Sequence, residues 1–453
     1  MDITNHKNIF FIGIGGISMS SLAEILVSKG YNVSGSNNVD NEMTDKLKEK
    51  NIKVFIGHNK DNITSDIDLV VYTAAISKDN EELLKANELG IETIRREILL
   101  SCIMDLHKNK IAISGTHGKT TTSSMISEVF MKANTNPTIS IGGVLKSLDS
   151  NTFAGGDEYF IAEACEYKDS FLALNPSCGV ILNIDADHLD YFKDLNDIRK
   201  SFKQFIKNLN DGLLVINNNV TAIDELTNEF NGKVVTYGNQ SANCKADNIT
   251  YQTNGLPSFD IVYNGEKIIN VSLKVPGYHN VSNALAAFSV CYEYGIDTKF
   301  IKEGLENFIG TERRMELKGE YDGIKVFDDY AHHPTEIKAS ISAFKSMPKN
   351  NLYTVFQSHT YTRTKALLNE FATSLSDSDY VIITDIYAAR ETNDVNVYPE
   401  DLVELIKEIN PNVCYISKYE DIVKHLKKEC QKGDIIVAMG AGDANKICDM
   451  LLK

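Results

Sequence analysis

A chain of 453 residues predicts about three domains with separate cores, which excludes a lone small binding module. With 43% hydrophobic and 24% charged residues it is composed like an ordinary globular protein, so disorder is excluded as its main state. Asp and Glu number 62 against 46 Lys and Arg, a net charge of −16 that argues against nucleic acid and anionic lipid as partners while leaving room for one basic cleft.

The opening residues, MDITNHKNIFFIGIGG, lack the basic region and small-residue cleavage site of a secretory signal. No apolar run approaches the roughly 20 residues needed to cross a bilayer. The 8 Cys are scattered without CxxC pairs, which predicts buried thiols rather than a disulfide framework. These features predict a cytoplasmic chain without membrane contact.

An apolar run at residues 8–12, a glycine turn, a helical pattern at 18–29 and a second strand at 31–34 make a βαβ rhythm. Alternation continues at 69–73 and 81–89. The strand–helix beat fades over 98–107, which predicts a boundary near 105. It restarts with a strand at 110–115, a helix at 122–132 and strands at 159–164, 179–184 and 213–217. Short alternating runs over 233–275 predict β-ribbon, followed by a helix at 281–294. From 310 onward, strands are expected at 324–328, 352–356, 380–384, 413–416 and 435–439, with helices at 364–376 and 399–409. The expected architecture is α/β in three domains. These are a Rossmann-like domain at 1–105, a central P-loop ATPase-like mononucleotide-binding domain at 106–310, and a Rossmann-like C-terminal domain at 311–453.

Two glycine loops stand at strand-to-helix junctions. Gly13-Ile14-Gly15-Gly16-Ile17-Ser18 suits a phosphate placed at a helix N-terminus. Ser18 replaces the third glycine of a dinucleotide fingerprint, and the second strand ends Ser34-Gly35-Ser36-Asn37 without the acid that would hold a ribose. Nicotinamide-cofactor binding is therefore disfavoured. The second loop, Gly115-Thr116-His117-Gly118-Lys119-Thr120-Thr121, follows an apolar strand and enters a helix. Its glycines let the backbone wrap phosphate oxygens, Lys119 neutralises β/γ charge, and the Thr120 hydroxyl can ligate Mg²⁺. ATP or GTP binding follows.

The shortened second loop, GTHGKTTT, resembles that of the Mur ligase superfamily, ATP-dependent amide-forming enzymes of peptidoglycan precursor synthesis. Further matches run along nearly the whole chain: GIGGISMS, GHN at 57–59, TAAISKDNEEL at 73–83, RRE at 95–97, AEACEYKDSF at 162–171 and NIDADHLDYF at 183–192. GYHNVSNALAA at 277–287, FIGTERRMELKG at 308–319, DDYAHHPTE at 328–336, FQSHTYTRTKAL at 356–367 and GAGD at 440–443 complete the set. DDYAHHPTE together with the GIGG start resembles the branch that joins L-alanine to UDP-N-acetylmuramate. A recycling branch that attaches a tripeptide to the same nucleotide sugar shares the later motifs.

The resemblance implies transfer of the ATP γ-phosphate to the lactyl carboxylate, then attack by the alanine amine on the acyl phosphate. It implies ATP and Mg²⁺, with Mn²⁺ as an alternative, and a monomer or homodimer. Gly115, Thr116, Gly118, Lys119, Thr120 and Thr121 would cradle ATP. Asn280 and Asn283 would lie near the adenine, with Arg314 and Asp329 also on the nucleotide. Of Arg313 and Arg314, one would serve the nucleotide and the other the fold. Thr120, Glu163 and His188 would hold metal, His188 on resemblance alone because hard cations favour oxygen.

Gly13, Gly15, Gly16, Ser36, His58, Arg95 and Arg96 would face the UDP-sugar. Lys119, His188, His332, His359 and Arg363 would be catalytic. Arg363 suits the alanine carboxylate because a guanidinium fork matches that anion. Paired His332 and His333 can orient substrate or accept a proton. Thr360 stands where some relatives carry a second arginine, and Tyr387–Glu391 also matches. No carbamylated lysine is assigned.

Overall fold

The computed structural model describes every residue except Ala74, Asp190 and Arg390. Arg390, part of a matched motif, thus lies outside the described residues. The chain packs as two compact units. The first comprises Met1–Asp185, Leu195–Lys245 and Leu285–Gly304. The second comprises Ala186–Asp194, Ala246–Ala284 and Leu305–Lys453.

In the first unit, β1 (Asn8–Ile12), β2 (Asn32–Asn37), β3 (Lys53–Ile56), β4 (Leu69–Tyr72) and β5 (Glu92–Arg95) form a sheet of order β3-β2-β1-β4-β5. All of its pairings are parallel. Every strand therefore ends on the same edge, and the order reverses beside β1, where open α/β sheets bind ligands. Phe10, Ile12 and Val70 of this sheet belong to one buried apolar cluster with Ile63, Leu83 and Ala86.

The same unit holds β6 (Asn109–Ser114), β7 (Thr138–Leu145), β8 (Ser150–Phe153), β9 (Tyr159–Glu163), β10 (Cys178–Ile181), β11 (Leu213–Asn217), β12 (Lys233–Gly238) and the start of β13 (Cys244–Tyr251). Their order is β13-β12-β11-β10-β6-β9-β7-β8. β7 and β8 pair antiparallel, whereas β6, β9, β10 and β11 run parallel as buried apolar strands.

The second unit carries an antiparallel pair, β14 (Pro257–Tyr263) and β15 (Glu266–Ser272). It also carries a sheet of β16 (Glu316–Tyr321), β17 (Ile324–Asp329), β18 (Leu352–Phe356), β19 (Tyr380–Ile383), β20 (Val413–Tyr415) and β21 (Ile435–Met439), in the order β16-β17-β21-β18-β19-β20. Its central strand is apolar on both faces. Ile435, Val437 and Met439 enter one core, and Ile436 and Ala438 enter the opposite one. That is the period-two signature of a sheet covered on both sides.

Three expectations change. Residues 98–107 do not break the pattern: helix Arg96–Asp105 runs through them, with Leu99–Met104 almost entirely buried. A helix buried nearly all round shows no amphipathic period to read. The helix after the second glycine loop begins at Lys119 rather than 122. The helix expected at 364–376 is two helices, Tyr361–Ala366 and Leu368–Leu375. Among the described residues no helix is long and apolar enough to cross a membrane.

Candidate functional site

On the first sheet's carboxyl edge, the GIGG turn is closed by its own hydrogen bonds. Gly13 and Ile14 N–H both donate to Ser36 O, Gly15 N–H donates to Asn37 Oδ1 at 3.2 Å, and Gly16 N–H donates to Gly13 O. A Cβ on Gly15 would lie 2.6 Å from the Asn37 amide, so glycine is required there for close packing. The N–H groups with no acceptor inside the element belong instead to the first turn of helix Ile17–Ser28. Ser36 is fully buried and bonded to Glu82 and His58. Arg95 ends β5 and pairs with Glu97 at 3.0 Å, and Arg96 opens the next helix.

The second loop sits between β6 and helix Lys119–Lys132. Gly115 has φ +138° and Gly118 φ +84°, both outside the ordinary range for side-chain-bearing residues. A Cβ on Gly115 would come within 2.9 Å of Leu182 Cβ, because the end of β10 passes against it. Asn183 braces the loop from that side. Its Oδ1 accepts from His117 N–H at 2.7 Å and its Nδ2 donates to His117 O at 3.0 Å. The Thr116 hydroxyl accepts from Asp185 N–H at 2.9 Å. The N–H groups of Lys119, Thr120 and Thr121 lie in the helix's first turn, ready for an anion.

Lys119 Nζ donates to Glu166 Oε2 at 2.9 Å and to Thr116 O at 3.2 Å. Burial is the largest single influence and opposes its charge, but Glu166, Cys165 and Glu163 together hold the ammonium above its ordinary value. Glu163, the last residue of β9, accepts from Gly142 N–H at 2.6 Å and from the Ser123 hydroxyl at 3.4 Å. Gly142 leaves room for it, since a Cβ there would meet Oε2 at 2.7 Å. Thr120 is buried in the same unit, and the two supply hard oxygen donors. Among the described residues no group of three or more His, Cys, Asp and Glu side chains is gathered for a metal.

The second unit holds a different constellation. Arg363 Nη2 donates to Asp187 Oδ1 at 2.9 Å, and Nη1 donates to His359 Nδ1 at 3.4 Å. Burial works against the Asp187 charge, but His188 and Arg363 hold its carboxyl well below the usual range. His188 follows with φ +55°, its N–H bonded to Asp187 Oδ1 at 2.7 Å and its Nε2 3.9 Å from Oδ2. Thr360, at the position of the second arginine, caps helix Tyr361–Ala366 and accepts from Arg363 N–H.

His332 has Nδ1 3.0 Å from Tyr330 O. A carbonyl only accepts, so Nδ1 carries the proton and Nε2 the lone pair. Burial pulls its imidazolium down to about 4. Its ring centre is 6.1 Å from that of His359, which burial also lowers. His333 caps helix Pro334–Ser346 and contacts Ala186 O at 3.2 Å.

The paired arginines are sorted by their partners. Arg313 donates to Asp328 at 3.2 Å and to the carbonyls of Gly440 and Gly442 at 2.9 and 3.1 Å, and its guanidinium lies 4.9 Å from the centre of the Tyr330 ring. Arg314 lies over Tyr330, with only a long 3.6 Å approach to Glu336. Asp329 is buried, which pushes its carboxyl up to about 6. Asn280 donates to Pro276 O at 2.7 Å and accepts from Asn283 at 3.2 Å, so both amides brace the start of helix Tyr278–Glu293. A cleft of about 390 Å³ opens beside this turn, lined by Tyr251, Tyr278, His279, Thr335 and Lys338 among others. Sequence reasoning left Asn183, Glu166, Asp187 and Glu82 out of the site, because each acts on a partner distant in the chain.

Family models match in chain order: the Mur ligase family catalytic domain at residues 8–108, the Mur ligase middle domain at 113–291, and the Mur ligase glutamate ligase domain at 313–442. The chain is 48% identical to UDP-N-acetylmuramate–L-alanine ligase of Lachnospira eligens, over 100% of this chain and 99% of that one. It is also 48% identical to the enzyme of that name from Acetivibrio thermocellus, over 100% and 97%. The solved UDP-N-acetylmuramate-alanine ligase of Thermotoga maritima superposes with a TM-score of 0.84 at 28% identity, over 99% and 98% of the two chains. A murein peptide ligase from Psychrobacter arcticus shares the fold, with a TM-score of 0.73 at 24% identity over 98% of each chain. Full-length identity and three consecutive domain matches establish that this chain belongs to the Mur ligase family.

Proposed function

We propose that the chain joins L-alanine to the lactyl carboxylate of UDP-N-acetylmuramate using ATP, giving UDP-N-acetylmuramoyl-L-alanine, ADP and phosphate. The observation that carries this reading is the end-to-end identity to relatives of that name. This reading assigns the step to peptidoglycan precursor synthesis, in the cytoplasm. Residues 1–105 would bind the UDP-sugar, 106–310 ATP and metal, and 311–453 the amino acid.

The γ-phosphorus–oxygen bond to ADP breaks as a carboxylate oxygen bonds to phosphorus. The alanine nitrogen then bonds to the acyl carbon, and phosphate leaves with the bridging oxygen. Lys119 and the first-turn N–H groups of its helix offset the charge that develops on the β/γ-phosphates. Arg314 and Asp329 serve the nucleotide, the first as cation and the second as a hydrogen-bonding carboxyl. Asn280 and Asn283 contribute near the adenine through the turn they brace.

Arg363 takes the alanine carboxylate, and Asp187 keeps its fork oriented until then. His332, neutral and with its lone pair on Nε2, accepts the proton that the alanine ammonium must lose before attack. His359 holds Arg363 from the other side. Thr120 and Glu163 are oxygen donors suited to Mg²⁺ or Mn²⁺. Such a cation, when bound, would offset phosphate charge.

With UDP-N-acetylmuramate, ATP and Mg²⁺, L-alanine should release phosphate far faster than L-glutamate or a tripeptide. Preference for the tripeptide would reassign the chain to the recycling branch. Oxygen-18 in the lactyl carboxylate should appear in released phosphate; its absence there would eliminate the acyl phosphate.

A further inference from the structure

The first sheet lacks an acid at the end of β2, the place where a Rossmann-type sheet takes a ribose hydroxyl. A carboxylate nevertheless reaches that point from another element. Glu82, second residue of helix Glu81–Glu88, is fully buried. Its Oε2 accepts from the Ser36 hydroxyl at 2.6 Å and meets His58 Nδ1 at 2.8 Å. Its Oε1 accepts from Asn62 Nδ2 at 2.7 Å and from Asn59 N–H at 3.4 Å. Asn80 caps the same helix and fixes the carboxylate's base, its Oδ1 accepting from the N–H groups of Glu82 and Leu83 at 3.0 Å each.

These contacts determine one histidine tautomer. A carboxylate only accepts, so the bond from His58 requires hydrogen on Nδ1. Ser36 gives its single hydrogen to Glu82, so its oxygen can only accept from His58 Nδ1, 2.9 Å away. Both contacts demand the same proton. A neutral imidazole with its hydrogen on Nδ1 carries its lone pair on Nε2. Among the described residues no hydrogen bond to that nitrogen is formed, and the His58 side chain is 22% exposed. His58 follows the end of β3, next to β2 and one strand removed from β1, on the edge that carries the GIGG turn.

We propose that Glu82 is a positioning residue of the nucleotide-sugar site: acting with Ser36, it locks His58 as the Nδ1–H tautomer, and His58 Nε2 accepts a hydroxyl of the substrate's ribose. The missing acid of β2 is thus replaced by a relay from a neighbouring helix. This rests on the assignment of Ser36 and His58 to the UDP-sugar.

The test combines nitrogen-15 NMR of the histidine side chains with kinetics on the full chain. In the unsubstituted protein, long-range proton–nitrogen correlation should show His58 protonated on Nδ1; protonation on Nε2 alone would overturn the proposal without any variant. Glu82→Gln should move the proton to Nε2. It should raise KM for UDP-N-acetylmuramate about tenfold, the scale of one lost hydrogen bond, with KM for ATP and kcat within about twofold.

His58→Gln should raise the same KM, and the double variant should be no worse than either single one. Both His58→Gln and Glu82→Gln should lose the preference for UDP-N-acetylmuramate over its 2′- or 3′-deoxyribose analogues. If His58→Gln leaves that KM unchanged, the parent assignment of His58 to the site fails. If His58→Gln raises it while Glu82→Gln does not, or if neither deoxy analogue is discriminated against by the unsubstituted chain, the Glu82 relay fails and the parent assignment stands.

Discussion

Arg363 places two nitrogens on one oxygen of Asp187, Nη2 at 2.9 Å and Nε at 3.3 Å from Oδ1. Both side chains are largely buried, with 14% and 8% exposure. Removing one partner strands the other charge in a poorly solvated place. Asp187→Ala should therefore cost about 3 kcal/mol of stability in chemical denaturation. Arg363→Lys keeps the charge but loses the fork, and should raise KM for alanine at least tenfold with KM for ATP unchanged. A shift in both KM values would show that Arg363 serves the fold rather than the amino acid.

Lys119 makes the second test. It is the cation of the second glycine loop, and its loss leaves phosphate charge without its main counter-charge. Lys119→Ala should lower kcat by about a thousandfold, the scale seen when a preorganised charge-stabilising donor is removed. Circular dichroism should show the secondary structure intact. Near-normal turnover would leave the loop a purely structural turn.

Gly115 is where backbone conformation and packing coincide. Alanine there must hold φ near +138° with its Cβ 2.9 Å from Leu182. Gly115→Ala should cost about 1–3 kcal/mol, and should weaken ATP binding by shifting the loop. Gly265, also at positive φ with nothing near its Cβ position, should show the smaller loss on Gly265→Ala that strain alone produces. Denaturant titration of both variants separates strain from crowding.

His332 and His279 govern acid sensitivity. Burial pulls both imidazoliums down to about 4 from the ordinary 6.5. The unfolded chain therefore binds protons near pH 6.5, while the folded chain resists until about pH 4. Stability is present in full above 6.5 and drains away as pH falls through that window. His279→Gln should flatten the loss of melting temperature between pH 7 and pH 4.5. His332→Gln should flatten it too and also lower kcat. In the unsubstituted enzyme kcat should stay free of a His332 limb down to about pH 5, because its lone pair is still present there. A limb near 6.5 would mean another base.

Much of the fold is legible in the chain because buried parallel strands are unbroken apolar runs. Residues 352–356 and 435–439 read as strands and are strands. The glycine loops were legible for a related reason, since a strand, a turn that only glycine can make and a helix start lie within a few residues. Helix Arg96–Asp105 was not, because burial on nearly every side erases its period. The β7–β8 pair was not read either, since Gly142 and Gly143 interrupt its apolar pattern.

The sequence by itself singled out candidates for phosphate, amine and carboxylate chemistry, Lys119, Glu163, His332 and Arg363, each beside the end of a strand or the start of a helix. Tertiary structure decided which partners hold them. Arg363 meets Asp187 across 176 positions, Lys119 meets Glu166 across 47, and Glu82 meets Ser36 across 46. It also gave Arg313 and Arg314 different partners, although both lie over Tyr330: Arg313 meets Asp328 and two carbonyls, whereas Arg314 approaches Glu336 at 3.6 Å. Periodicity and turn chemistry are local, so they survive in a string of letters. The counter-charge of a buried ion is chosen by which strands lie side by side, and that order exists only once the sheets have formed.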